Sequence, residues 1–112
     1  MAADASRHDM AASPSVTLLR DRLASGALDA LTLVESYIAR IEAREAEVGA
    51  WAWFDPEFVR AQARNLDSYR RSGRPLGRLH GLPVALKDVI DTAKIPTENG
   101  CTKDAGRVPL HD

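Results

Sequence analysis

Lys87 stands in the stretch HGLPVALKDVID, residues 80–91, among Val84, Ala85, Leu86, Val89 and Ile90. An ammonium group in so apolar a run must find a partner from elsewhere, reach water at the end of its element, or give up its proton. The third course makes a lysine a general base, able to take a proton from a serine hydroxyl. Lysine chemistry also includes Schiff-base formation and phosphate binding, but no GxxxxGK[ST] loop leads into Lys87, which disfavours the last. The pattern alone is met more readily by a structural lysine at a strand terminus with its head in water.

The neighbouring polar residues give Lys87 no local partner. On an extended strand side chains alternate, so Lys87 shares a face with Ala85 and Val89 while Asp88 points away. Asp91 returns to the face of Lys87, but about 13 Å along the chain, too far for an ion pair. Both aspartates are expected to orient backbone or bind neighbouring residues around the strand end, and His80, beside Gly81 and Pro83, to support a turn in preference to touching an active site. Cys101 has no nearby base and reads as a buried or incidental thiol. As the only cysteine it excludes an intramolecular disulfide and a cysteine-based zinc cluster, and His8, His80 and His111 are too scattered to suggest a metal site. None of Ser6, Ser13, Ser15, Ser25, Ser36, Ser68 and Ser72 sits in a glycine-rich turn of the kind that presents a nucleophile.

The elements that would position Lys87 follow from periodicity. Ser13 or Ser15 can cap a first helix, Pro14 is tolerated in its first turn, Val16, Leu19 and Leu23 form a stripe, and Gly26 ends it. After Asp29, the residues Leu31, Val34, Ile38 and Ile41 define the clearest helix of the chain. Trp51 and Trp53 alternate with small residues as on a short strand, before Asp55 and Pro56 announce a third helix with Phe58, Val59, Ala63 and Leu66 inward. Arg60, Arg64, Arg70 and Arg71 read as its solvated side, because Glu57 and Asp67 interrupt any anion-binding patch. RSGRPLGRLHG, residues 71–81, is a loop, residues 83–90 read as a strand apolar on both faces, and the rest is mostly irregular.

The bulk properties narrow the function classes. A chain of 112 residues with 45% hydrophobic content suits at most one small domain. Its 15 basic and 16 acidic residues leave a net charge of −1, so no long-range field draws nucleic acid or an anionic membrane. No apolar run approaches the roughly 20 residues needed to cross a bilayer. The opening MAADASRHDMAASPS lacks the apolar core of a secretory signal, which points to a cytoplasmic protein with a disordered tail over residues 1–12.

The stretch GRLHGLPVALKDVIDTAKIPTENG, residues 77–100, resembles the lysine block of the amidase signature family. LTLVESYIARIEAREAEVGAWAWFDPE, residues 31–57, is similar to that family's N-terminal helical region. The resemblance implies an α/β fold: residues 13–112 would be the N-terminal helices plus the first strand or strands of a mixed-sheet domain, incomplete in this chain. It implies hydrolysis of a carboxamide C–N bond by a serine, a second serine with a cis peptide bond, and Lys87 as the base, without cofactor or metal. Both serines belong to a glycine- and serine-rich stretch downstream of the lysine, so residues 1–112 alone are expected to be inactive. With an apolar strand left unpaired, they are also expected to be marginally stable or prone to associate, leaving room for an oligomer. The partner is then a small amide, and the family also contains the glutaminase subunit of tRNA-dependent amidotransferases. Two rival readings are a non-catalytic helical interaction module or inactive remnant, with Trp51, Trp53 and Phe54 as its contact surface, and a Schiff-base enzyme.

Overall fold

The computed structural model describes residues 14–112; the tail expected over residues 1–12, and Ser13 as an alternative cap, lie outside them. Regular structure among the described residues consists of α1 (Val16–Ser25), α2 (Ala30–Val48), α3 (Pro56–Arg71) and a single 3-10 turn at Thr102–Asp104.

Each helix begins and ends for a local reason. The Ser15 hydroxyl accepts from the Leu18 amide at 3.2 Å and opens α1, with Pro14 just ahead of the cap. Gly26 closes α1 in the left-handed region at φ 80°, where a residue with a Cβ is strained. Gly49 ends α2 in the same way, its amide donating to the Glu45 carbonyl at 2.8 Å. Asp55 caps α3 by accepting from the Glu57 and Phe58 amides at 3.0 and 3.4 Å, and Pro56 occupies the first helical position, where no amide hydrogen is needed.

The start of α2 is built differently. Asp29 precedes it, yet its carboxylate makes no capping bond. Asp67, from the far end of α3, is buried there instead and accepts from the Ala30 amide at 2.7 Å and the Leu31 amide at 3.0 Å. A full negative charge thus meets the positive end of the α2 dipole and satisfies two donors that the helix itself cannot.

Leu19 and Leu23 of α1, Ala30, Leu33, Val34 and Ile38 of α2 and Ala63 of α3 form the core, with Leu28, Tyr37, Phe54, Val59 and Leu82 packed against it. Two arginines expected on the solvated side of α3 tie the helices together. Arg60 donates from Nε to Glu35 at 2.7 Å and from Nη1 to Glu57 at 2.7 Å, while Arg70 reaches Asp29 at 3.2 Å. The loop after α3 returns over the junction of α1 and α2 at Gly81, which is buried with φ 77°. A Cβ there would lie 3.2 Å from Leu23 Cδ2 and 3.4 Å from Ala30 Cβ, so the backbone approach requires glycine.

The expected α/β architecture is not what the chain adopts. Among the described residues there is no strand and no sheet; the fold is helical. Residues 82–87 are irregular backbone followed by a turn, and Val84, Leu86, Val89 and Ile90 are 76%, 51%, 51% and 49% exposed. The Trp51 to Trp53 stretch is a bend between α2 and α3. The reason is common to both: alternation or apolarity describes side chains, but a strand exists only when a neighbouring strand takes up its amides and carbonyls, and none does so here. The open arrangement shows in the radius of gyration, 16.3 Å, against about 13 Å expected for a compact domain of this length.

Candidate functional site

Residues 83–90 form one wall of a groove of about 820 Å³ whose other wall is α2, the bend and the start of α3. Tyr37, Trp53 and Phe58 line the helical side; Leu86, Lys87 and Val89 line the opposite one. Trp53 meets Phe58 edge-on with ring centroids 5.5 Å apart, and Trp51 lies 5.4 Å from Phe54 in a tilted pair. The aromatic residues that read as a contact surface are therefore largely the apolar floor and rim of this groove.

Lys87 is on the groove wall and exposed, not buried in a strand. Its side chain has no ion pair or hydrogen bond among the described residues, so its backbone, which sets the Cα–Cβ direction, is the part of it that the fold fixes. That backbone is held. The Lys87 carbonyl accepts from the Ile90 amide at 3.0 Å, the Asp88 carbonyl from the Asn99 amide at 2.9 Å, and the Asp88 carboxylate from the Glu98 amide at 3.0 Å. Asp88 thus holds backbone as its position suggests, although at a turn and not at a strand end.

Asp91 works through Arg107. The guanidinium donates to both carboxylate oxygens at 2.6 Å and to the Thr97 carbonyl at 3.3 Å, a forked geometry that suits arginine and carboxylate. This bonding holds the Asp91 carboxyl below its ordinary range and raises Arg107 above its own. The Thr97 amide donates to the Arg107 carbonyl at 2.9 Å, and Thr97 itself is buried. Asn99 and Gly100 then reverse the chain with φ 55° and 64°, the Cys101 amide donating to the Glu98 carbonyl at 2.9 Å.

Nothing in residue type announces Thr97 and Arg107 as a pair ten positions apart, and sequence reasoning misses them. The Asn99-Gly100 dipeptide is the one usable signal, a turn that brings the two segments together. His80 is half-buried beside Tyr69, with centroids 6.3 Å apart, and does not line the groove, in keeping with a turn-supporting role. Cys101 is a free, exposed thiol off the groove. No serine lines the groove among the described residues, and no cluster of three metal-ligating side chains is found among them. No helix among them is long and apolar enough to cross a membrane.

Comparison with known proteins agrees with the sequence resemblance. The chain is 43% identical over 91 residues to the A subunit of the glutamyl-tRNA(Gln) amidotransferase of Streptomyces coelicolor, an alignment that covers 81% of this chain and 18% of the relative. It is 41% identical over 98 residues to the protein of the same name from Chloroflexus aurantiacus, covering 88% of this chain and 20% of the relative. The corresponding Anaeromyxobacter protein is 34% identical over 90 residues, 80% of this chain and 18% of the relative. The chain thus spans about a fifth of the length of these relatives. No solved structure matches it significantly. The family model described as Amidase matches residues 32–112, which include α3, most of α2, the groove and Lys87, and the chain belongs to that family.

Proposed function

We propose that this chain is the base-bearing segment of an amide hydrolase that cleaves the C–N bond of a carboxamide, with Lys87 as the base. The observation that carries the reading is the match of residues 32–112 to the Amidase family, together with the place of Lys87 in a stretch that resembles the family's lysine block. The position of Lys87 on an apolar groove wall supports it, because such a groove can hold the organic part of an amide while the amine stands at its edge. In the reaction, the lysine amine takes the proton of a serine hydroxyl through a bridging serine. The serine oxygen attacks the amide carbonyl, and the same proton is later delivered to the leaving nitrogen so that ammonia or an amine departs. Water then releases the acyl group as a carboxylate. Both serines, and the backbone amides that would stabilise the oxyanion, lie outside these 112 residues under this reading.

The experiment is ammonia release from L-glutamine and from benzamide by the natural polypeptide, purified from its source and sized by intact mass, beside its Lys87→Ala variant. Loss of about 100-fold or more of turnover in the variant is expected for a general base. Turnover retained by Lys87→Ala removes the assignment of the lysine; no ammonia from either carboxamide removes the hydrolase itself.

A narrower reading takes the relatives' shared identity, a glutamyl-tRNA(Gln) amidotransferase component, as a guide to substrate and assembly. The amide is then that of glutamine, and the chain acts beside other polypeptides. Preference for glutamine over benzamide, together with a native mass above that of the isolated polypeptide, is the expected result.

A further inference from the structure

We propose that Asp88 is a positioning residue for Lys87, an inference that rests on the reading of Lys87 as the base. Lys87 lines the groove and has no side-chain partner among the described residues, so the part of its path that the fold fixes is the Cα–Cβ direction, which the orientation of its own backbone sets. Residues 82–87 belong to no helix or strand, which leaves the bonds made just after Lys87 to fix that orientation.

Asp88 supplies two of those bonds, and both go to one short segment. Its carboxylate accepts from the Glu98 amide at 3.0 Å and its carbonyl from the Asn99 amide at 2.9 Å. Two bonds to successive amides fix a direction as well as a distance, where a single bond would leave a pivot. The receiving segment is itself held in place. Thr97 is 1% exposed and bonded to Arg107, the Glu98 carboxylate accepts from the Gly106 amide, and the Asn99 side chain donates to Asp104 at 3.1 Å. Asp88 therefore transfers the rigidity of residues 97–107 to the peptide unit that carries the lysine. The carboxylate acts here as an acceptor toward a backbone amide, so an amide side chain of the same length can replace it.

The test uses the natural polypeptide and ammonia release from whichever of L-glutamine and benzamide it hydrolyses. Asp88→Ala is expected to lower kcat by about 10- to 100-fold, the cost of misplacing a reacting group by about 1 Å, with KM little changed. Asp88→Asn, which keeps the acceptor, is expected to restore most of that kcat. An Asp88→Ala enzyme with wild-type kcat, beside an inactive Lys87→Ala enzyme, overturns the positioning role and leaves the base in place. Failure of Asp88→Asn to rescue likewise overturns it, because the carboxylate would then be needed for its charge. An active Lys87→Ala enzyme overturns both readings. Should Asp88→Ala not fold, Asp88→Glu replaces it: the extra methylene keeps the charge but displaces the acceptor, and unchanged kcat there overturns the proposal.

Discussion

The carboxylate of Asp67, near the end of α3, caps the first turn of α2, accepting from the Ala30 amide at 2.7 Å and the Leu31 amide at 3.0 Å. Asp67 and Ala30 are 37 positions apart in the chain, so this contact couples the start of one helix to the docking of another. Asp67→Ala removes the cap and leaves the Ala30 and Leu31 amides without partners. The expected loss is about 2 to 3 kcal/mol of unfolding free energy, read from urea denaturation, with Asp67→Asn losing less because it keeps an acceptor. An unchanged midpoint in Asp67→Ala would show that the cap is not what joins α2 to α3.

Gly81 and Gly49 both have positive φ, 77° and 60°, but different surroundings. A Cβ at Gly81 meets Leu23 Cδ2 at 3.2 Å, whereas one at Gly49 meets nothing within 4 Å. Gly49→Ala is expected to cost about 1 kcal/mol from backbone strain alone, and Gly81→Ala to cost more, since packing adds to the strain. Thermal unfolding of the two variants side by side checks the order; equal shifts would deny the close approach.

Two carboxylates paired with arginine give the fold a dependence on acid. Hydrogen bonding from Arg60 lowers the Glu35 pKa below its ordinary 4.5, and that from Arg107 lowers the Asp91 pKa below its ordinary 3.8. A pKa depressed in the folded state means that the unfolded chain binds protons first as pH falls. The stabilisation is therefore complete above the ordinary values and declines as pH drops from about 4.5 toward the lower folded values. Urea midpoints measured between pH 6 and pH 3 are expected to fall less steeply in Glu35→Gln and in Asp91→Asn than in the wild type. The wild-type fall itself is expected to become shallower at high salt, which screens both pairs. Slopes identical to wild type in both variants would show that neither pair is held in solution.

Val84 and Leu86 are 76% and 51% exposed in a segment without strand partners. Apolar surface of this kind drives association. The 112-residue polypeptide is expected to bind a hydrophobic dye and to grow in sedimentation coefficient with concentration, and Val84→Lys with Leu86→Lys is expected to suppress both while leaving the urea midpoint near wild type. A concentration-independent monomer would contradict this.

The helices are legible in the sequence because their evidence is local. Ser15, Gly26, Asp55 and Pro56 act within a turn of where they stand, and Leu19 with Leu23, Val34 with Ile38, and Ala63 are buried as their spacing implies. Val16 and Leu66, expected on the same stripes, are instead 64% and 37% exposed at the edges of the packing. Residues 83–90 mislead because the deciding evidence is not local. Apolar side chains say that a segment is fit for burial; whether it becomes a strand depends on hydrogen-bonding partners elsewhere in the chain. The arginines of α3 show the same limit: Arg60 and Arg70 have helical positions consistent with solvent, and only the placement of Glu35 and Asp29 makes them ties between elements.

Sequence by itself determined the family, the helix boundaries set by caps and glycines, and Lys87 as the residue in an apolar run whose chemistry needs explaining. Tertiary structure alone decided that Lys87 lines a groove in the open, that Asp67 starts a helix it does not belong to, and that Asp88 and Asp91 are held by residues ten and sixteen positions away. The division follows from the range of the forces. Propensity, capping and periodicity act over a few residues and are written in order along the chain, whereas hydrogen bonds between distant groups are specified by geometry that exists only after the chain has closed on itself.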